Sequence, residues 1–203
     1  MLNKTIRQAR IDLQNFLKSS ERKIEIEINC PAEDRIRFIY SIIFPGWKRA
    51  AFYWRFLIAR IAGIIDYSPI KVFLYRCIGM KIGKGVFISP GVVLDPHFPC
   101  LIEIGDHAII GWGAALFTHD FSRRKYSAGR IKIGRGAVIG GFCIVRGGVT
   151  VGENAEAAAA CIVYKDVPPD GRLAGGILLG RALANSGNLP DRQKENEKET
   201  ADL

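Results

Sequence analysis

His119 is the side chain best placed to do chemistry in this sequence of 203 residues. It lies in the polar run THDFSRRKYSAGR (residues 118–130), where no apolar period continues. An imidazole titrates near neutral pH and can take a proton and return it, so a histidine in such a run is a candidate general base. Asp120, the next residue, is a carboxylate that could orient the ring. Asp95 stands upstream, in a place where it could take the hydroxyl of an acceptor.

The elements that must position these groups are short and repeated. An aliphatic residue returns at every sixth position in three phased runs. They are Ile82, Ile88 and Leu94; then Ile104, Ile110 and Leu116; then Ile133, Ile139, Val145, Val151, Ala157 and Val163. The fifth position of each hexad is small or β-branched, as at Val86, Ala108, Ala137, Cys143 and Cys161. Glycine often follows the aliphatic residue, as at Gly83, Gly105 and Gly134. Six is neither a helical period nor the simple alternation of a flat strand. It fits a short strand and a tight corner, three of which close a triangular coil of about eighteen residues with the aliphatic column inside. The glycine is expected to supply backbone freedom at the corner.

The phase slips twice, at Pro96–Cys100 and at Phe117–Ile131. The second insertion holds His119, and long loops in a solenoid tend to carry function.

These residues carry a resemblance. A histidine on a segment leaving the coil, followed by IKIGRGAVIG (131–140), GGVTVG (147–152) and KDVPP (165–169), resembles the hexapeptide-repeat O-acetyltransferases over roughly residues 79–176. That family includes the maltose, galactoside and nodulation types and the polysaccharide O-acetyltransferases. The resemblance implies a mainly β fold, a left-handed parallel β-helix, preceded here by an α-helical region. It implies a homotrimer, acetyl-CoA as co-substrate and His119 as the base that deprotonates an acceptor hydroxyl. No nucleophilic serine or cysteine and no metal are then expected. Carried over by position, Gly141, Ala159 and Lys165 fall on the coenzyme groove, with Arg172 and Arg181 as basic candidates near its end. The chain departs from the pattern at Ala137-Val138, where the family carries an aromatic. Ala158 and Ala160 replace glycines, and Leu178-Leu179 replace a Pro-containing basic segment.

Two other readings follow. The same coil hosts zinc-dependent γ-class carbonic anhydrases, and this chain has three histidines, but the 10- and 12-residue separations of His97, His107 and His119 do not repeat the coil. A coil that has lost the coenzyme and serves as a scaffold is the other.

Composition bounds the rest. Lys+Arg 29 against Asp+Glu 20 gives +9, and residues 1–81 hold 15 basic and 7 acidic side chains, so the positive field belongs to the N-terminal third. Five cysteines without a C-x-x-C pair suggest a reduced, cytoplasmic compartment. No signal-peptide core and no transmembrane run are read.

Met1–Arg22 reads as an amphipathic helix and Lys23–Ile28 as a short extended piece. Cys30–Phe44 and Trp47–Ile65 read as further helices. Ser68 and Pro69 are expected to open another that ends at Gly79. The expected division is a helical cap over residues 1–80, a β-helix over 81–184 with an active loop at 117–131, and a polar, disordered tail over 185–203. The aromatic and basic helix (Trp47, Lys48, Arg49, Tyr53, Trp54, Arg55, Arg60) is expected to close the open end of the coil. It also suits an anionic membrane on the inner face. Nucleic acid is not expected, since no recognition motif accompanies the charge. The function expected is transfer of an acetyl group from acetyl-CoA to a sugar hydroxyl of a cell-surface polysaccharide or its precursor.

Overall fold

A computed structural model describes residues 2–28, 34, 37, 38, 40, 41, 49–122, 125–175 and 177–179. The rest of the expected helix at 30–44, the tail at 185–203, Arg181, Trp47 and Lys48 lie outside these.

The chain opens with α1 (Leu2–Lys18) and β1 (Lys23–Glu27), followed by α2 (Arg49–Ile64) and α3 (Ser68–Cys77). The coils then begin. The first holds β2 (Lys81–Ile82), β3 (Phe87–Ile88) and β4 (Val93–Leu94). The second holds β5 (Ile102–Ile104), β6 (Ile109–Ile110) and β7 (Ala115–Phe117). A hairpin of β8 (His119–Phe121) and β9 (Lys125–Gly129) interrupts. The third coil is β10 (Ile131–Ile133), β11 (Val138–Ile139) and β12 (Ile144–Arg146), and the fourth is β13 (Thr150–Val151), β14 (Glu156–Ala157) and β15 (Ile162–Val163). β16 (Arg172–Ala174) adds to the last coil, and β17 (Ile177–Leu179) returns antiparallel along it.

Equivalent strands pair in parallel, in register, from coil to coil. Sheet one is β2-β5-β10-β13, sheet two β3-β6-β11-β14-β16 and sheet three β4-β7-β12-β15. The twelve aliphatic hexad positions and the small fifth positions are all buried, Cys143 and Cys161 included, and they form one continuous core. The fold is the left-handed parallel β-helix.

The hexad glycines work differently from expectation. At Gly111, Gly134 and Gly140 a Cβ would meet the backbone of the next coil at 2.5–2.6 Å, so these positions allow close stacking of turns. The left-handed backbone falls two residues later, at Gly85, His107, Gly136, Asn154 and Asp170 on one corner and at Gly91, Gly113, Phe142 and Ala160 on another. Glycine therefore follows the aliphatic residue for want of space, and positive φ is borne partly by side chains.

α2 and α3 close the open end of the coil. Ala62, Val72, Tyr75 and Ile78 join the solenoid core. Ser68 does not cap α3, whose N-cap is Tyr67 without a side-chain bond. Its buried hydroxyl instead accepts the Ile88 N–H (2.8 Å) and donates to the Val86 carbonyl (3.3 Å), stitching helix to coil. Lys71 is buried with Nζ on the Ser89 carbonyl at 2.6 Å.

The segment expected as a loop at 117–131 is a hairpin, and β1 completes it as a three-stranded antiparallel sheet, β1-β9-β8. The reason is a second core: Ile6, Leu13 and Phe16 of α1 and Ile26 of β1 bury Tyr126 and Ala128 of β9 together with Phe98 and Leu101. Arg130 fixes the junction by donating to the carbonyls of Ser19 and Glu21 just past the end of α1. The N-terminal third thus holds both the end of the solenoid and the hairpin that carries His119.

Candidate active site

Thr118 and His119 leave the end of β7, while Asp95 follows β4 one coil below, so parallel pairing of β4 with β7 brings the three together. The Asp95 side chain is 1% exposed and accepts five hydrogen bonds. Oδ1 takes the His97 amide and His97 Nδ1, both at 2.9 Å. Oδ2 takes the Thr118 amide (3.0 Å), the Thr118 hydroxyl and His119 Nδ1 (2.6 Å). Burial alone would raise the Asp95 pKa. The His119 and His97 hydrogen bonds, the His119 charge and the Thr118 hydroxyl outweigh it and hold the carboxyl well below the usual range. Asp95 is therefore an anion that only accepts, so each Nδ1 facing it carries a proton, and Nε2 is the nitrogen that holds the lone pair in the neutral form of the His119 ring.

This corrects two expectations. Asp95 is too buried and too fully bonded to receive an acceptor hydroxyl, and it is the carboxylate that orients His119. Asp120 does not bond the ring: it pairs with Arg146, with both side chains about half exposed, and the two line the cavity beside His119. His97, weighed in the sequence only as one of three histidines and set aside on spacing, also stands here: its ring lies 4.5 Å from that of His119 and 4.9 Å from Phe52 of α2. An i, i+2 spacing of Asp95 and His97 across Pro96 was a signal, since an Asx turn puts both on one side.

His119 is 14% exposed and opens onto a cavity of about 260 Å3, lined also by Phe117, Thr118, Asp120, Ser127, Ile144 and Arg146. Phe98, Phe121 and Tyr126 ring His119 on its other sides, with centroids at 5.6–6.3 Å. Tyr126 is wholly buried and its hydroxyl has no partner among the described residues. Burial, then the nearby Asp95 charge, pushes its pKa up. The environment of the imidazole is largely buried and aromatic, with one open edge.

The positions expected to hold the coenzyme are distributed as follows. Gly141 and Ala159 stack in adjacent coils on the corner between sheets two and three, and their amides donate to no carbonyl of the described residues. A Cβ on Gly141 would reach the Trp112 carbonyl at 3.2 Å. Ala158 is partly buried, while Ala159 and Ala160 are exposed. Lys165 is exposed over the Tyr164 ring at 5.6 Å. Arg172 faces Glu156 at 3.4 Å on sheet two. These positions thus present two amides on one corner, unpaired among the described residues, and an exposed cation at Lys165. His107 is remote in role, forming a positive-φ corner against Gly85.

Known proteins share this architecture. No family model matches the chain. The Bacillus subtilis protein named "Putative acetyltransferase YvoF" is 34% identical over 141 residues, covering 69% of this chain and 81% of its own. The Escherichia coli protein named "Putative colanic acid biosynthesis acetyltransferase WcaF" is 28% identical over 122 residues, covering 48% and 66%. Among solved structures, the hexapeptide-repeat acetyltransferase VCA0836 of Vibrio cholerae, complexed with acetyl coenzyme A, superposes with a TM-score of 0.56 at 22% identity. It covers 67% of this chain and 88% of that one. A maltose O-acetyltransferase from Clostridium difficile gives 0.53 at 18%, covering 66% and 86%. The identity to the Bacillus protein across most of its length, on a coil with this repeat, places the chain in the family of hexapeptide-repeat acetyltransferases, and it is an acyl-transferring enzyme.

Proposed function

We propose that the protein transfers an acetyl group from acetyl-CoA to a sugar hydroxyl of a cell-surface polysaccharide or its precursor, with His119 as general base and Asp95 as the residue that positions it. The observation carrying this reading is the Asp95–His119 pair at 2.6 Å on the edge of a cavity. His119 Nε2 takes the acceptor proton as the oxygen attacks the thioester carbonyl. The C–S bond then breaks, and the imidazolium returns its proton to the leaving thiolate. Asp95 offsets the positive charge on the ring between those steps. Gly141 and Ala159 would donate amides to the pantetheine arm, and Lys165 would meet phosphate.

A trimer is supported by the contrast between outer faces. Sheet one presents Lys81, Glu103, Lys132 and Thr150. Sheets two and three present Phe87, Ile109, Val93, Ile144 and Ile162, all exposed, and the edge-to-face pair Trp112–Phe142 stands on their shared corner. Apolar faces flanking the Gly141–Ala159 corner suit a neighbouring copy.

Association with an anionic membrane is supported by α2 and α3. Tyr53, Trp54, Leu57, Ile61 and Ile64 share one exposed arc of α2 with Arg60 at its rim, and Tyr67, Ile70 and Phe73 continue the apolar surface. No described helix is long and apolar enough to cross a membrane. Phe52, on the same helix, touches His97, so acceptors at that surface would arrive beside the base.

The test is thiol release from acetyl-CoA with a panel of oligosaccharide acceptors. Acceptor-dependent release that disappears in His119→Ala is expected. Release unaffected by that substitution, or none with any saccharide, would overturn the reading.

A further inference from the structure

Asp95, His97 and His119 each offer a ligand atom, and these atoms lie within 4.8 Å of one another. A carboxylate and two imidazoles are a donor set for zinc and neighbouring transition ions, and three protein ligands leave a fourth position for water. We propose that this cluster is a binding site for a divalent transition metal ion, and that the ion silences the enzyme by capturing His119.

The geometry is close to what such an ion needs. Ligands at about 2.0–2.1 Å in a tetrahedral array stand roughly 3.3 Å apart. His97 Nδ1 now lies 2.9 Å from Oδ1 and His119 Nδ1 2.6 Å from Oδ2, so those pairs open by about 0.4 and 0.7 Å. The widest separation in the set closes by no more than about 1.5 Å, within the swing of a partly exposed ring. The carboxylate is already an anion and both rings are already aimed at it. Phe52 and Phe98 flank the rings.

The chemical consequence follows from the tautomer. Each ring now holds its proton on Nδ1, facing Asp95. An ion that takes Nδ1 displaces that proton, and each neutral ring carries it on Nε2 instead. No net proton is released from the pair of rings. His119 Nε2 changes from lone-pair acceptor to N–H donor and has nothing with which to accept an acceptor proton. His97 makes this possible, because Asp95 and His119 alone are two ligands.

The silencing rests on His119 being the base, whereas the binding does not. The full chain is titrated with zinc by calorimetry and with cobalt(II) by visible absorption, for wild type, His97→Ala and His107→Ala. One ion per chain is expected, with the intense bands of a low-coordinate cobalt site. His97→Ala should weaken zinc at least tenfold, and His107→Ala should leave it unchanged, since His107 lies outside the cluster. Wild type that binds neither ion, or zinc binding that survives His97→Ala or is lost in His107→Ala, overturns the site. In the transfer assay zinc should stop wild type reversibly, with recovery on chelation, and whatever activity His97→Ala retains should resist it. Zinc-bound wild type that still transfers overturns the silencing. Absence of transfer before any zinc is added is instead a failure of the base assignment, and the binding titrations stand apart from it.

Discussion

Replacing Asp95 by Asn separates the orienting carboxylate from its neighbour in sequence. The carboxylate accepts two donors at Oδ1 and three at Oδ2. An Asn side chain has one acceptor oxygen. It turns that oxygen to the Oδ2 side, where the Thr118 amide cannot reverse its role, and sets its NH2 against the His97 amide. His119 then keeps a neutral hydrogen bond but loses the anion that stabilises its protonated ring. A hydrogen bond to a charged group is worth about 1.5–3 kcal/mol, and each 1.36 kcal/mol is tenfold in rate, so kcat should fall by about 10- to 150-fold. The Asp120→Asn control breaks only a half-exposed pair with Arg146, worth about 0.2–1 kcal/mol, and should stay within about fivefold. The assay is the initial rate of thiol release at saturating acetyl-CoA, with the KM for acetyl-CoA measured in parallel and expected to hold. If Asp120→Asn costs more than Asp95→Asn, or Asp95→Asn stays within threefold of wild type, the orienting role assigned to Asp95 is wrong.

Three further outcomes follow from the same geometry. Tyr75 is buried under the helical cap and its pKa is pushed up to about 12, so its neutral form is favoured by folding. That stability is present below pH 10 and is lost as pH rises through 12, a loss of about 2.7 kcal/mol from a two-unit shift. Chemical denaturation across that range should show it, and Tyr75→Phe should remove it. Gly111→Ala would set a Cβ 2.6 Å from the Gly141 amide, so the denaturation midpoint should drop by the equivalent of about 1–3 kcal/mol, whereas Gly63→Ala in α2, where a Cβ would meet only the Val92 carbonyl at 3.9 Å, should lose none. Trp54→Ser with Leu57→Ser should reduce sedimentation with anionic vesicles while thiol release in solution is retained. Unchanged sedimentation would remove the membrane surface from the account.

The coil was legible because one period fixes both burial and register: Ile110 and Ala114 announce their places by spacing alone. His119 was legible because it interrupts that period. Its true partner was not, since Asp95 and His119 are 24 positions apart and meet only through the pairing of β4 with β7. Proximity in sequence favoured Asp120, yet successive residues of an extended strand point to opposite sides. The pairing of β1 with the hairpin was likewise hidden. Ile24 and Ile26 signal a strand, but nothing local says that its partner is β9, about a hundred residues later. The glycines were read correctly as corner residues and wrongly in mechanism, because steric contact between coils is a property of the stack rather than of the turn.

The measurement that bears most directly on the account is acetyl-CoA binding by calorimetry, wild type beside His119→Ala, followed by single-turnover transfer in the same samples. The account predicts that both bind acetyl-CoA with similar affinity and that only wild type passes the acetyl group to an acceptor. Wild type that takes up no acetyl-CoA would contradict it and leave the coil a scaffold. Transfer by His119→Ala at the wild-type rate would contradict the site.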